Sequence, residues 1–161
     1  MSFQRDIAII GAGRIGLPWA AVLAADQGRS VTCIDIDEQR VSAVNDAESP
    51  FKEPGLAAVM ERGVESGQLT ATTDPDVITD HEYVAFTINA PRDDISKYVD
   101  TVQFYAKKLT DGQTIISRST LPVRMVSRTR EIIHEYTDAD VNFATFPERL
   151  AEGKAIEEIR N

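Results

Sequence analysis

Short apolar runs alternate with longer stretches of helical period along this 161-residue chain. "DIAII" at 6–10 is the first run, and 14–27 reads as a helix closed by Gly28, a residue suited to a helix stop. A strand is expected at 30–35, a helix near 37–46, and a polar loop at 48–54, "ESPFKEP". Beyond the loop, Leu56, Val59, Met60, Gly63 and Val64 share one helical face. A short strand at 69–72 precedes a stronger one at 83–88. Ile95, Tyr98, Val99, Val102, Ala106 and Leu109 then keep the helical period up to Asp111-Gly112. A strand at 114–117, a helix at 123–136 and a strand at 141–145 follow, and "AIEEIRN" begins another helix. Apolar strands alternating with helices predict a parallel sheet covered on both faces. Right-handed crossovers make it doubly wound, an α/β Rossmann dinucleotide-binding fold, in a single domain over 1–161.

The first strand and the first helix are joined by Gly11-x-Gly13-x-x-Gly16. Gly11 permits the tight turn, Gly13 lets the backbone approach a pyrophosphate, and Gly16 lets helix and strand pack closely. Unpaired amides and the helix dipole then face the phosphates, with Arg14 adding a charge. Asp35 lies nineteen residues past Gly16, at the end of the next strand. That spacing suits an acid that accepts hydrogen bonds from the adenosine ribose. A carboxylate there repels a 2′-phosphate, which favours NAD over NADP; flavin is compatible with these residues alone.

The net charge of −9, from 26 acids and 17 bases, argues against nucleic acid or an anionic membrane as partner. The longest nearly uncharged run, 16–25, is far short of a membrane span. "MSFQRD" runs directly into an apolar strand, so no leader is expected. The single cysteine, Cys33, excludes an internal disulfide, fits a reducing cytoplasm, and is expected as a small buried hydrophobe in its strand. Only five of the 17 bases are lysine, a bias that resembles salt-loving proteins and overlaps with ordinary acidic ones. His81 and His134 have no partner at metal-ligand spacing and are expected at the surface, with no metal. Trp19 is expected in the core, Glu157 and Glu158 on a solvated helix face, and Lys107-Lys108 at a helix end.

"GAGRIGLPWA", "IDIDEQRV", "ESPFKEPGL", "ATTD", "ISRSTLP" and "FPERLAEGKAIEEI" occur in the order found in UDP-sugar 6-dehydrogenases, which the chain resembles from Asp6 onward. That family includes UDP-glucose and UDP-N-acetylmannosamine dehydrogenases. The Pro-Glu-Arg form leans toward the N-acetylhexosamine members. The resemblance implies a UDP-sugar substrate, oxidised to the uronic acid in two NAD-dependent steps. It also implies a central helix and a second domain with a nucleophilic cysteine, absent here, so the chain is expected to be inactive alone. The full-length family forms dimers or larger assemblies, and this piece is expected to be a monomer.

Residue by residue, the resemblance gives Gly11, Gly13, Arg14, Ile15 and Gly16 to the pyrophosphate. Asp35 goes to the ribose, Arg40 to the adenosine end, and Asn89, Ala90 and Pro91 of "INAPR" to the cofactor loop. Ala90 stands where the family commonly has a threonine, and Val123-Arg124 where it has glycine and threonine. Ser119 and Thr120 lie beside the nicotinamide ribose, with Thr120 also near the chemistry. Glu148 is the acid/base or water-positioning residue, Arg149 and Leu150 face substrate with it, and Glu152 reaches the cofactor. "SPFKEPGL" is expected to present the following helix, close to substrate. Two other readings share the glycine loop: a β-hydroxyacid-type dehydrogenase, and a stand-alone NAD-binding module without catalysis. The end inside "AIEEIRN", with no cap or stop signal, reads as a truncation.

Overall fold

The computed structural model describes residues 3–91 and 93–161; Met1, Ser2 and Arg92, which closes "INAPR", lie outside them. The described residues form six strands and six α-helices, alternating except where two helices and then two strands follow one another. The first half holds β1 (Arg5–Ile10), α1 (Gly16–Gln27), β2 (Val31–Ile34), α2 (Glu38–Asn45), α3 (Leu56–Glu65) and β3 (Leu69–Thr72). The second holds β4 (His81–Phe86), α4 (Ser96–Ala106), β5 (Thr114–Ser117), α5 (Val123–Tyr136), β6 (Asn142–Thr145) and α6 (Ala155–Arg160). The sheet runs β3-β2-β1-β4-β5-β6 with every pair parallel. This is the expected doubly wound order, and its direction of growth reverses between β1 and β4, leaving a crevice past their carboxyl ends.

Each inner strand feeds two cores. Ile7 and Ile9 of β1 pack with α1 and α3, whereas Ala8 and Ile10 pack on the opposite face with Tyr98, Val102 and Ile133 of α4 and α5. That double burial is why the strands read as unbroken apolar runs. Helix α1 is rich in alanine and buried on most sides, since α3 and α6 pack over it. Gly63 permits the approach of α3: a Cβ there would lie 3.3 Å from the Cβ of Ala24. Asp26, at the end of α1, takes Arg62 of α3 and Arg160 of α6, each at 2.7 Å. These guanidiniums hold its carboxyl below the usual carboxylate range.

Trp19 and Cys33 are buried as expected, and burial pushes the Cys33 thiol up to about 12, with the Asp35 charge adding to it. Glu157 and Glu158 are exposed on α6, and His134 is exposed on α5. His81 corrects the surface expectation, being only 1% exposed. A 3₁₀ helix, Pro75–Asp80, absent from the sequence reading, runs into β4 and brings the Val77 carbonyl to the ring. His81 Nδ1 donates to that carbonyl at 2.8 Å, so Nε2 accepts from Thr32 Oγ1 at 2.9 Å. Burial holds this histidine below its ordinary pKa. Among the described residues, no helix is long and apolar enough to cross a membrane.

Candidate functional site

The chain leaves β1 through Gly11, whose φ of +101° lies in the region open to glycine. The third glycine answers a tighter demand than helix–strand packing alone. A Cβ on Gly16 would sit 2.0 Å from the Gly11 carbonyl oxygen and 2.4 Å from Thr87 Oγ1. Gly13 is different, because a Cβ there would meet nothing within 4 Å. Its missing side chain keeps space open rather than relieving a clash. Thr87, just past β4, secures the loop: its hydroxyl lies 2.9 Å from the Ile10 oxygen and 2.8 Å from the Gly11 oxygen, sharing one proton between them. Helix α1 has no side-chain cap and no acid in its first turn, so its positive end stays available.

Asp35 follows β2, with its side chain only 9% exposed. One oxygen accepts from the Ala12 amide at 2.8 Å and from Arg40 Nη1 at 3.2 Å; the other accepts from the Asp37 amide at 3.0 Å. The acid expected at the ribose therefore braces the glycine loop as well. Arg40 is paired with that acid and lies 3.8 Å from Asp37 Oδ2, while Asp37 caps α2.

A cleft of about 760 Å³ opens above these groups. Gly11, Gly13, Arg14, Ile15, Asp35, Arg40 and Asn89, all candidates from the sequence, are among the residues that line it. Ile36 and Lys97 also line it, and the sequence reading passed over both. Ile36 is 96% exposed, an apolar surface that suits the flat face of a base. Lys97, in the first turn of α4, adds a cation facing the same space. Open room at Gly13, an uncapped helix end, a buried acid and an apolar lip together fit a dinucleotide.

Other candidates stand apart from this cleft. Ala90 is buried among the α4–α5 core residues, leaving any ligand contact there to its backbone. Ser119 is buried and donates to the Ile88 oxygen at 2.7 Å, supporting the cofactor loop from beneath. Thr120 is exposed, and its hydroxyl makes a long 3.5 Å contact with the Glu148 oxygen. Gly16, Pro91 and Glu152 do not line the cleft either.

The two distinctive loops meet each other. Glu53 of "ESPFKEP" accepts from the amides of Gly153 at 3.1 Å and Ala155 at 2.9 Å, clamping the "PERLAEGKAI" turn. In that turn Glu152 pairs with Arg14 of the glycine loop at 2.9 Å, and Arg14 lies over the Phe51 ring. Glu148 is half-buried, and its carboxylate accepts from the Leu150 amide. Glu148, Leu150, Arg14, Ile15 and Glu53 enclose a small cavity of about 140 Å³. Arg149 is exposed beside it.

Residues 5–161 match the model of the UDP-glucose/GDP-mannose dehydrogenase family, NAD binding domain. A UDP-N-acetyl-D-mannosamine dehydrogenase of Methanococcus aeolicus is 30% identical over 95% of this chain and 36% of its own length. A UDP-glucose 6-dehydrogenase of Rhizobium meliloti is 33% identical over 96% of this chain and 37% of its own. The chain thus spans little more than a third of the length of these relatives. A solved NDP-N-acetyl-D-galactosaminuronic acid dehydrogenase of Methanosarcina mazei superposes with a TM-score of 0.87, at 26% identity over 97% of this chain and 37% of that one.

Proposed function

Because the chain belongs to the UDP-glucose/GDP-mannose dehydrogenase family, as its NAD-binding domain, we propose that it supplies the cofactor half of a UDP-sugar 6-dehydrogenase. UDP-N-acetylmannosamine and UDP-glucose are the candidate substrates, each going to its uronic acid. The observation that carries this reading is the Glu53 clamp, which draws the Glu148–Glu152 turn against the glycine loop. An acid/base carboxylate and a dinucleotide cradle then share one rim.

NAD, when bound, accepts the hydride of each oxidation. The chain's own groups hold and orient it. The backbone at Gly13 and the open end of α1 receive the pyrophosphate, Asp35 the ribose hydroxyls, and Ile36 the adenine face. Glu148 is the group for the proton that leaves the sugar hydroxyl as hydride departs, and Thr120, whose hydroxyl contacts the Glu148 backbone carbonyl, is its neighbour. Cys33 is buried, with its thiol pushed up to about 12, which supports a reading in which any thiolate nucleophile is supplied by a second domain rather than by this cysteine. The oligomer and the UDP pocket belong to that larger protein, in the cytoplasm; the chain itself is a monomer in this reading.

Calorimetric titration of the chain with NAD, NADP and a UDP-sugar tests this. NAD alone is expected to bind, and Asp35→Ala to weaken it by about tenfold or more through the lost charged hydrogen bonds. Tight UDP-sugar binding, or no NAD binding, overturns the half-enzyme account.

A further inference from the structure

Arg118, directly after β5, has no use in the dinucleotide site, yet it is only 4% exposed. Its guanidinium carbon lies 4.5 Å from the centre of the Trp19 ring and 4.6 Å from that of Phe146. Among the described residues no carboxylate lies within 4.0 Å of it, and Nε is buried without a partner. An unpaired cation so far from water is unfavourable unless something completes it. Arg118 stands in the wall of a cavity of about 590 Å³ beside α1 and the end of β6, which shares no lining residue with the dinucleotide cleft. The cavity does take in Glu148, Arg149 and Leu150 of the turn given above to the substrate, and to that extent a ligand site here rests on that reading.

We propose that this cavity is a carboxylate-binding site with Arg118 as its fixed cation. The two rings crowd the guanidinium and Nε is enclosed, so the terminal N–H groups are the donors left for the cavity. Two donors held in one plane match the two oxygens of a carboxylate. Charge selects against a phosphate dianion. Glu148 and Glu158 also line the cavity, beyond ion-pair distance of Arg118, so an incoming anion meets two carboxylates there and one negative charge is tolerated better than two. Both a free sugar acid and an aspartate side chain carry this group.

Trp19 is the only tryptophan and lies against Arg118, so its fluorescence reports the site. The chain is titrated with acetate, glucuronate and N-acetyl-aspartate methylamide at constant ionic strength, with chloride and inorganic phosphate as references. A saturable response to the carboxylates is expected, with little from either reference. Arg118→Gln should weaken it about tenfold or more, while NAD affinity by calorimetry stays unchanged. If that variant does not fold, Arg118→Lys serves, keeping the charge and losing the planar pair of donors. Glucuronate binding more tightly than the aspartate derivative supports the site and points to a free acid; the reverse order supports it and points to a protein side chain. Equal responses to carboxylate, phosphate and chloride overturn the proposal, as does a carboxylate response that Arg118→Lys leaves intact.

Discussion

Gly13 and Gly16 are the same letter in one motif, yet their surroundings differ. Alanine at Gly16 drives a methyl onto the Gly11 carbonyl and Thr87, neither of which can yield without opening the loop. Gly16→Ala is expected to destabilise the fold by about 1–3 kcal/mol in urea unfolding, and to abolish NAD binding. Gly13→Ala should leave the unfolding midpoint nearly unchanged and weaken NAD, because its methyl takes up room on the open side. His81 supplies a pH test. Its folded pKa lies below the ordinary 6.5, so the unfolded chain takes up the proton first as pH falls. Stability is expected to decline as pH drops through the ordinary histidine range toward the folded value, and to be unaffected by this group above it. Unfolding midpoints of the wild type and His81→Gln between about pH 7.5 and 5 check this, the variant having the flatter profile.

At the scale of elements, the Glu53 clamp makes a local prediction. Glu53→Ala removes the acceptor for two amides, and hydrogen exchange at Gly153 and Ala155 should speed up by about 1–3 kcal/mol in opening free energy. Exchange in β1 and β4 should not change. The strands, the glycine turn and Asp35 were legible in the sequence because each is set by local pattern: apolar runs buried on both faces, and glycines at fixed spacing. The 3₁₀ helix Pro75–Asp80 was missed: Asp74 caps it ahead of a proline, a local signal, but its few apolar residues blurred it into a loop. Residues placed by tertiary contacts were hidden. Lys97 reaches the cleft because α4 starts beside it, and His81 is buried because Thr32, 49 positions away, meets its ring. The union of the two distinctive loops spans about a hundred residues, and no spacing rule encodes it.

Across the whole molecule, the −9 charge sets the response to salt. Ion pairs such as Arg14–Glu152 and Arg128–Glu135 are exposed and contribute little, so self-repulsion among the surplus carboxylates dominates. The thermal midpoint is expected to rise between about 0.05 and 1 M sodium chloride as the screening length shortens; a flat or falling midpoint would show that the pairs outweigh the repulsion. Thr87 has a different reach, for its hydroxyl joins residues 77 positions apart in the chain. Until β4 lies beside β1, the glycine turn lacks the contact that fixes its carbonyls. On the ribosome the motif emerges early and stays unfinished. A nascent chain that has not yet released Thr87 carries the fingerprint of a nucleotide site without the hydroxyl that fixes its turn.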